Sequence, residues 1–427
     1  MNRITLCLII MFFPSFLVAQ ELSIHSSQRI VSIKLSQEDF DAFNQGDFNL
    51  KKHTNFIYEQ FRDSFDIICF VINNKYIPNS LGFAGKSIKI SNDIEGIGQS
   101  IFDDSNLYGS SGRLKQIIIL TRNDFILYGP SLHEIAHNWA NYGIKTSGFY
   151  NNKEIVDYRL HWGFSGCGGQ LGGFLQKNLI ENYKGITNRY KANNGKGTIF
   201  GLNANGGNSI RYSDFELYLM GLMNISDLSP FSVFSQITMF EGDSVFDAKI
   251  KTDYNKERIL QVLGNRVPND SNSQKQFRIL FAVVTPTELT YDEWELVDQH
   301  VEIFTREGWD GDSNLYNFYE ATRGNAIIKA DNLYNCQKTS THIKNHKTWL
   351  KNFKIYPTPT TGLINISEFE TDYKYQVSIM DISGNEILRI KNVSKDLELD
   401  LTDKPSGIYN LLIRKGDKLS TYQIIKK

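Results

Sequence analysis

The sequence predicts two folded units in tandem, an α+β domain of roughly 300 residues and then a small all-β sandwich. Three observations lead there. From about Glu21 to Asn335, apolar strand-like runs such as Ile67–Ile72 and Ile117–Leu120 alternate with helix-like stretches and glycine-rich loops. The segment after Cys336, QKTSTHIKNHKTW, is polar and has no periodicity, as a linker would. Beyond it the chain is all short strands. Tyr375, Val377 and Ile379 alternate with polar residues, as do Leu397, Leu399 and Leu401, with turns at Ser383-Gly384-Asn385 and Lys415-Gly416-Asp417. The expected boundaries are a leader over 1–19, the α+β domain over 20–335, a linker over 336–353 and the sandwich over 354–427.

The leader is read from MNRITLCLIIMFFPSFLVAQ. Arg3 lies in a short basic head, an apolar run follows from Ile4 to Leu17, and Ala19 supplies the small residue for cleavage. Pro14 and Ser15 interrupt the run, which is short for a membrane span, so a secretory signal peptide is expected. Its removal leaves Cys69, Cys167 and Cys336, enough for one disulfide and one free thiol, with no spacing typical of cysteine metal sites. At 427 residues, 41% hydrophobic and 22% charged, the composition is that of a globular protein with a large core. A net charge of -1 gives no electrostatic footprint for nucleic acid, which is excluded as an expected partner. No other stretch is long and apolar enough to cross a bilayer.

Chemistry concentrates in SLHEIAHNWANYG, Ser131 to Gly143. A helix is expected here, with Pro130 suited to its first turn and Gly143 to its stop. His133 and His137 would then project one turn apart from the same face, able to share one ion through two imidazoles. Glu134 lies next round the helix, placed to take a proton from water rather than to ligate. A catalytic zinc needs a third protein ligand and an open position. The compact HExxHxxGxxH form is absent, because Ala140 and Gly143 stand where it needs glycine and histidine. His161, in LHWGFSGCGGQLGGF, is the leading third ligand. Glu216 in YSDFELYLMGL follows it, with Glu154 and Asp157 as further acids.

Gln116–Leu120, just before this helix, is expected as an edge strand able to pair with an extended peptide. Tyr212 and Tyr218 are candidate donors to an oxyanion. Asp310-Gly311-Asp312-Ser313-Asn314 is similar to the start of a calcium loop. Its twelfth position is Ala321 rather than glutamate, so it reads as a turn and calcium is the weaker cofactor expectation beside Zn2+. His342 and His346 have helical spacing but no adjacent acid, and read as solvated linker residues.

Two resemblances add to this. IYPTPTTG (Ile355–Gly362), VSIMDISGNEIL (Val377–Leu388), PSGIYNLLI (Pro405–Ile413) and the closing YQIIKK resemble the C-terminal sorting domain of type IX secretion cargo. Thr358 stands where that family has asparagine. The resemblance implies export through the type IX machinery, with the mature protein released or held at the cell surface. HEIAHNW, HWGFSGCGGQLGG and FELYLMGL, with GIGQSIFDDSNLYGSSGRL upstream, resemble a family of secreted zinc peptidases over roughly Cys69 to Met223. This implies a zincin-like, metzincin-like fold for the α+β domain, His133, His137 and His161 as zinc ligands, and Glu134 as the base. Where such enzymes have a methionine turn, this chain has Gly169-Gln170-Leu171-Gly172. Leu171 would form the apolar floor, with Met220 as a rival or a core residue.

The expected function is therefore a secreted zinc-dependent endopeptidase acting on peptide or protein substrates. The alternatives are a non-catalytic exported adhesin on the same scaffold and a zinc hydrolase of a non-peptide amide. An intact Glu134 argues against the first, since a binding protein has no need of a base there.

Overall fold

The computed structural model describes residues 20–78, 81–150, 153–158, 160–193, 207–242, 244–309, 314–338, 353–381, 385–415 and 418–427. The leader, most of the linker with His342 and His346, Asp310–Ser313 of the calcium-like turn, and the turn residues Ser383-Gly384 and Gly416-Asp417 lie outside them.

The apolar runs that read as strands assemble into a seven-stranded mixed sheet. Its order is Glu21–Ile24, Ile30–Lys34, Gln276–Thr285, Ile67–Ile72, Gln116–Leu120 and Gly85–Lys89, with Ile327–Lys329 also pairing Gln276–Thr285. The centre is parallel: Gln276–Thr285 runs parallel to both its neighbours, and Ile67–Ile72 parallel to Gln116–Leu120. Only the two outer strands, Glu21–Ile24 and Gly85–Lys89, pair antiparallel. Every residue of Ile67–Ile72 and Gln116–Leu120 is buried, because both faces of the sheet are covered.

Alternation along each strand sorts its side chains between two cores. Ile68, Phe70 and Ile72 meet Phe40, Phe43 and Ile57 of the helices Gln37–Asn44 and Leu50–Gln60. Ile67, Cys69 and Val71 meet Leu132, Ile135, Leu217 and Val301 on the opposite face. That second face carries the helices Ser131–Ala136, Asp214–Met220 and Tyr291–Thr305.

A separate four-stranded antiparallel sheet, in the order Ile180–Glu181, Arg189–Lys191, Val245–Tyr254, Phe231–Glu241, has its own aromatic core. Phe164 and Phe174, from the two ends of the glycine-rich loop, pack into that core with Tyr190, Phe234 and Phe246. Thr146–Tyr150 and Lys153–Tyr158 form a further two-stranded hairpin. Residues 354–427 fold as one sheet of Lys354–Tyr356, Leu363–Ser367 and Leu397–Asp400 and another of Glu386–Val393, Tyr375–Met380, Gly407–Lys415 and Lys418–Lys426. Their inward residues share one core, including Ile364, Val377, Ile379, Leu411 and Ile424.

This architecture overturns the expected α+β zincin-like fold class. Strands dominate and divide among several small sheets, while among the described residues only Tyr291–Thr305 exceeds eleven residues as a helix. The main sheet has a parallel centre rather than segregated strands and helices. The misreading has a physical origin: a short apolar run shows that a strand is buried on both faces, but not the direction of its partner. Gln116–Leu120 is corrected too. It lies inside the sheet, and the terminal strand is Gly85–Lys89. Cys69, Cys167 and Cys336 are all buried and free. Among the described residues, no helix is long and apolar enough to cross a membrane.

Candidate metal centre

The HEIAH segment is helical only over Ser131–Ala136, with His137 just beyond it but still at right-handed helical angles. Its start is held from outside. Asn208, fully buried, accepts the Leu132 N–H at 3.2 Å and donates to the carbonyls of Ile126 and Leu127 at 3.0 and 2.8 Å. Tyr212 donates its hydroxyl to the Leu132 carbonyl at 2.8 Å. Its end tightens, with the Asn138 and Trp139 amides reaching back three residues to Ile135 and Ala136. The His137 carbonyl is taken by the Tyr142 hydroxyl. Gly143 is therefore not a helix stop. A Cβ there would strike Leu263 and the backbone of Gly98, so the glycine permits a close approach of two chain segments.

The structure brings His133, His137 and His161 together. His133 Nε2 lies 3.1 Å from His137 Nε2 and 3.1 Å from His161 Nε2. A tetrahedral ion bound at about 2.0–2.1 Å would space its nitrogens by roughly 3.3–3.4 Å, so the cluster has the size of one metal site. The outer nitrogens fix the tautomers. His133 Nδ1 faces the Gln170 carbonyl at 2.8 Å, and His137 Nδ1 faces the Ala140 carbonyl at 3.3 Å. A carbonyl oxygen only accepts, so each Nδ1 carries the proton and each Nε2 presents a lone pair to the centre.

Two lone pairs 3.1 Å apart repel unless a cation lies between them. A proton is a poor filler, because burial lowers the pKa of His133 to about 3 and holds His137 well below its usual value. The donor set, three imidazoles with no thiolate, suits zinc.

Glu134 is 5% exposed, and among the described residues no donor reaches its carboxylate. Burial alone pushes its pKa up to about 8, and a divalent cation alongside would restore the charged form. Its backbone is pinned by Gln116, whose side-chain amide donates to the Glu134 carbonyl at 2.6 Å. Its side chain lies against the terminal strand, where a Cβ at Gly85 would overlap the Glu134 carboxylate.

The other expected site residues fall elsewhere. Glu216 is not a ligand: both its oxygens accept N–H groups, from Trp162 Nε1 and Leu171 on one and from Gln170 and Ser213 on the other. Asp157 is exposed and faces Lys145 at 3.6 Å, and Glu154 is not in the cluster. Tyr212 is committed to the helix, and Tyr218 packs in the core beside Arg266, so neither is placed as an oxyanion donor. Leu171 and Met220 are both buried in the core on this face of the main sheet.

The sequence reading missed Gln170, Asn208 and Tyr142. Gln170 contributes a backbone carbonyl, which leaves no side-chain signal. Its own amide ties the loop to the carbonyls of Gly207 and Ile210. The one available signal was the glycine pair around it: Gly169 and Gly172 bridge each other in a tight turn.

Comparison with known proteins bears on the tail. Residues 354–427 match the family described as the secretion system C-terminal sorting domain. No curated protein matches the chain. Among solved structures, it is similar to a DUF3244-family protein with an immunoglobulin-like β-sandwich fold from Bacteroides vulgatus. That likeness has 15% identity and a TM-score of 0.16, covering 18% of this chain and 83% of that one. The protein is secreted to the cell surface or the extracellular space, and its tail engages the type IX secretion machinery.

Proposed function

We propose that the protein is a secreted zinc-dependent endopeptidase, with His133, His137 and His161 holding the ion and Glu134 as the general base. The observation that carries this reading is the pairing of two features. Three imidazole Nε2 atoms converge, those of His133 and His137 with their tautomers fixed for ligation, and a buried carboxylate without a donor of its own stands on the same short helix as His133.

Zinc, when bound, supplies Lewis acidity toward a carbonyl and acidifies water. The protein's part follows from the residues. The three imidazoles would hold the ion in their neutral form and would leave a coordination position open. Glu134 accepts the proton of the attacking water and passes it to the leaving amine. The dry setting of Glu134 strengthens both steps, because few competing waters reach it. A peptide is favoured over other amides by Gly85–Lys89, the terminal strand beside Glu134, against which an extended substrate can lie as a further strand.

The test is Glu134→Gln in the full exported chain, assayed on an unstructured protein substrate beside elemental analysis for zinc. Turnover should fall by at least about 100-fold, the lower end of general-base contributions, while zinc stays near one per chain. Undiminished cleavage by the variant would remove Glu134 from the mechanism, and an unmodified chain without zinc would sink the peptidase reading.

A further inference from the structure

We propose that Glu216 is the carboxylate partner of His133, acting through the single peptide group that joins Gln170 to Leu171. This rests on the reading of His133 as a metal ligand and assigns a positioning role to a residue outside the coordination sphere. The two ends of that peptide group face different partners. Its N–H, on Leu171, donates to Glu216 Oε1 at 2.8 Å. Its carbonyl, on Gln170, accepts from His133 Nδ1 at 2.8 Å. Negative charge at the amide end polarises the group and strengthens the carbonyl as an acceptor. A stronger acceptor holds the Nδ1 proton in place, fixes the ring, and makes Nε2 a better donor to metal. A histidine ligand bonded directly to a carboxylate gains the same things.

The arrangement exceeds what the local helix needs. Ser213 and Glu216 form a capping box at the start of Asp214–Met220, and a neutral glutamine serves that motif as well. Oε1 contributes nothing to the cap. It takes Leu171 N–H and, at 2.9 Å, the indole N–H of Trp162, the residue after His161. Oε2 takes Gln170 N–H at 3.0 Å as well as the cap amide at 2.8 Å. One carboxylate, 1% exposed, thus fastens the two segments that present His133's acceptor and His161. Burial pushes the Glu216 pKa up and its four N–H donors pull it back down. A carboxyl that accepts four N–H groups has no acceptor left for a proton of its own, and three of the four bonds serve the site. Gly169 completes the fit, since a Cβ there would overlap the Glu216 carboxylate.

The test is Glu216→Gln in the full chain, read in two ways. In metal-free, 15N-histidine-labelled protein, His133 of the unmodified chain should be the Nδ1–H tautomer, and the variant should show a mixture of tautomers. Zinc affinity, measured by competition with a chelator, should fall by about 10–100-fold, the usual effect of losing an outer-shell partner. A folded variant with unchanged tautomer and affinity would overturn the proposal, leaving Glu216 a plain loop anchor. So would an unmodified chain with His133 protonated at Nε2. Should the variant fail to fold, the Leu171 amide proton of the unmodified chain decides. Bound to a carboxylate it exchanges slowly and resonates far downfield, and a fast-exchanging amide at an ordinary shift sinks the idea. The tautomer is read without metal, so a chain that binds no zinc would defeat the peptidase reading separately.

Discussion

The C-terminal sandwich and the histidine-bearing region spend burial differently. Among the described residues of 354–427 the buried side chains are nearly all apolar, with Thr360, Ser378, Ser420 and Lys426 as the polar exceptions. Around the candidate metal centre polar groups are buried among the apolar ones: His133, Glu134, Gln170, Asn208 and Glu216 are brought together from distant parts of the chain. Apolar burial stabilises wherever it occurs, whereas buried polar groups cost unless each finds a partner. The tail therefore reads as a part built to fold, and the centre as a part built to hold a specific arrangement at some expense of stability.

The largest expected effect sharpens that contrast. His161→Ala should weaken zinc binding beyond the roughly 10–100-fold typical of an outer-shell change, because it removes a whole ligand. Chelator competition on the full chain reads it, and thermal stability of the metal-free protein should hardly move, since His161 is only part-buried. Full zinc occupancy in the variant would return the third position to another residue. The tail should behave in the opposite way. Ile379 is fully buried between the two sheets of the sandwich, so Ile379→Ala should destabilise it by about 2–5 kcal/mol with zinc content unchanged. A loss of zinc in that variant would break the comparison, by showing that the two regions do not keep separate accounts.

How much of this was legible in sequence follows the same divide. The sandwich strands announce themselves because alternation at Tyr375, Val377 and Ile379 is a local pattern with a local cause. The main sheet does not, because Gln276–Thr285 inserts between Ile30–Lys34 and Ile67–Ile72 from some 200 residues further along the chain. At the centre, His133, Glu134 and His137 can be picked out by spacing and His161 by residue type. What places them cannot. Asn208 and the Gln170 carbonyl act across long stretches of chain, Tyr142 acts from five residues beyond His137, and two of the three contacts end on a backbone oxygen. Glu216 shows the limit most clearly. Its residue type suggested a ligand, and only the four N–H groups gathered around it exclude that.

His53 offers the smallest test and a control for the rest. It is buried among aromatics as the site histidines are not, with Phe43 and Phe70 at centroid distances of 5.8 and 6.3 Å and no partner for Nδ1. Burial, with Lys52 adding to it, lowers its pKa to about 4. In the unfolded chain the value returns to roughly 6.5, so between these pH values the unfolded state binds more protons. Stability is then full above about pH 6.5 and falls as the pH drops toward 4, by roughly 3 kcal/mol in all and about 1 kcal/mol by pH 5.5. Urea denaturation of the metal-free protein at pH 7 and 5.5 should show a loss that includes this share, and His53→Leu should lessen the total by about that share alone. The site histidines add a similar slope that His53→Leu leaves in place and zinc abolishes, because bound metal occupies the lone pairs that protons would take. If zinc instead flattened the His53 share, the distinction between a histidine buried for packing and one buried for ligation would fail.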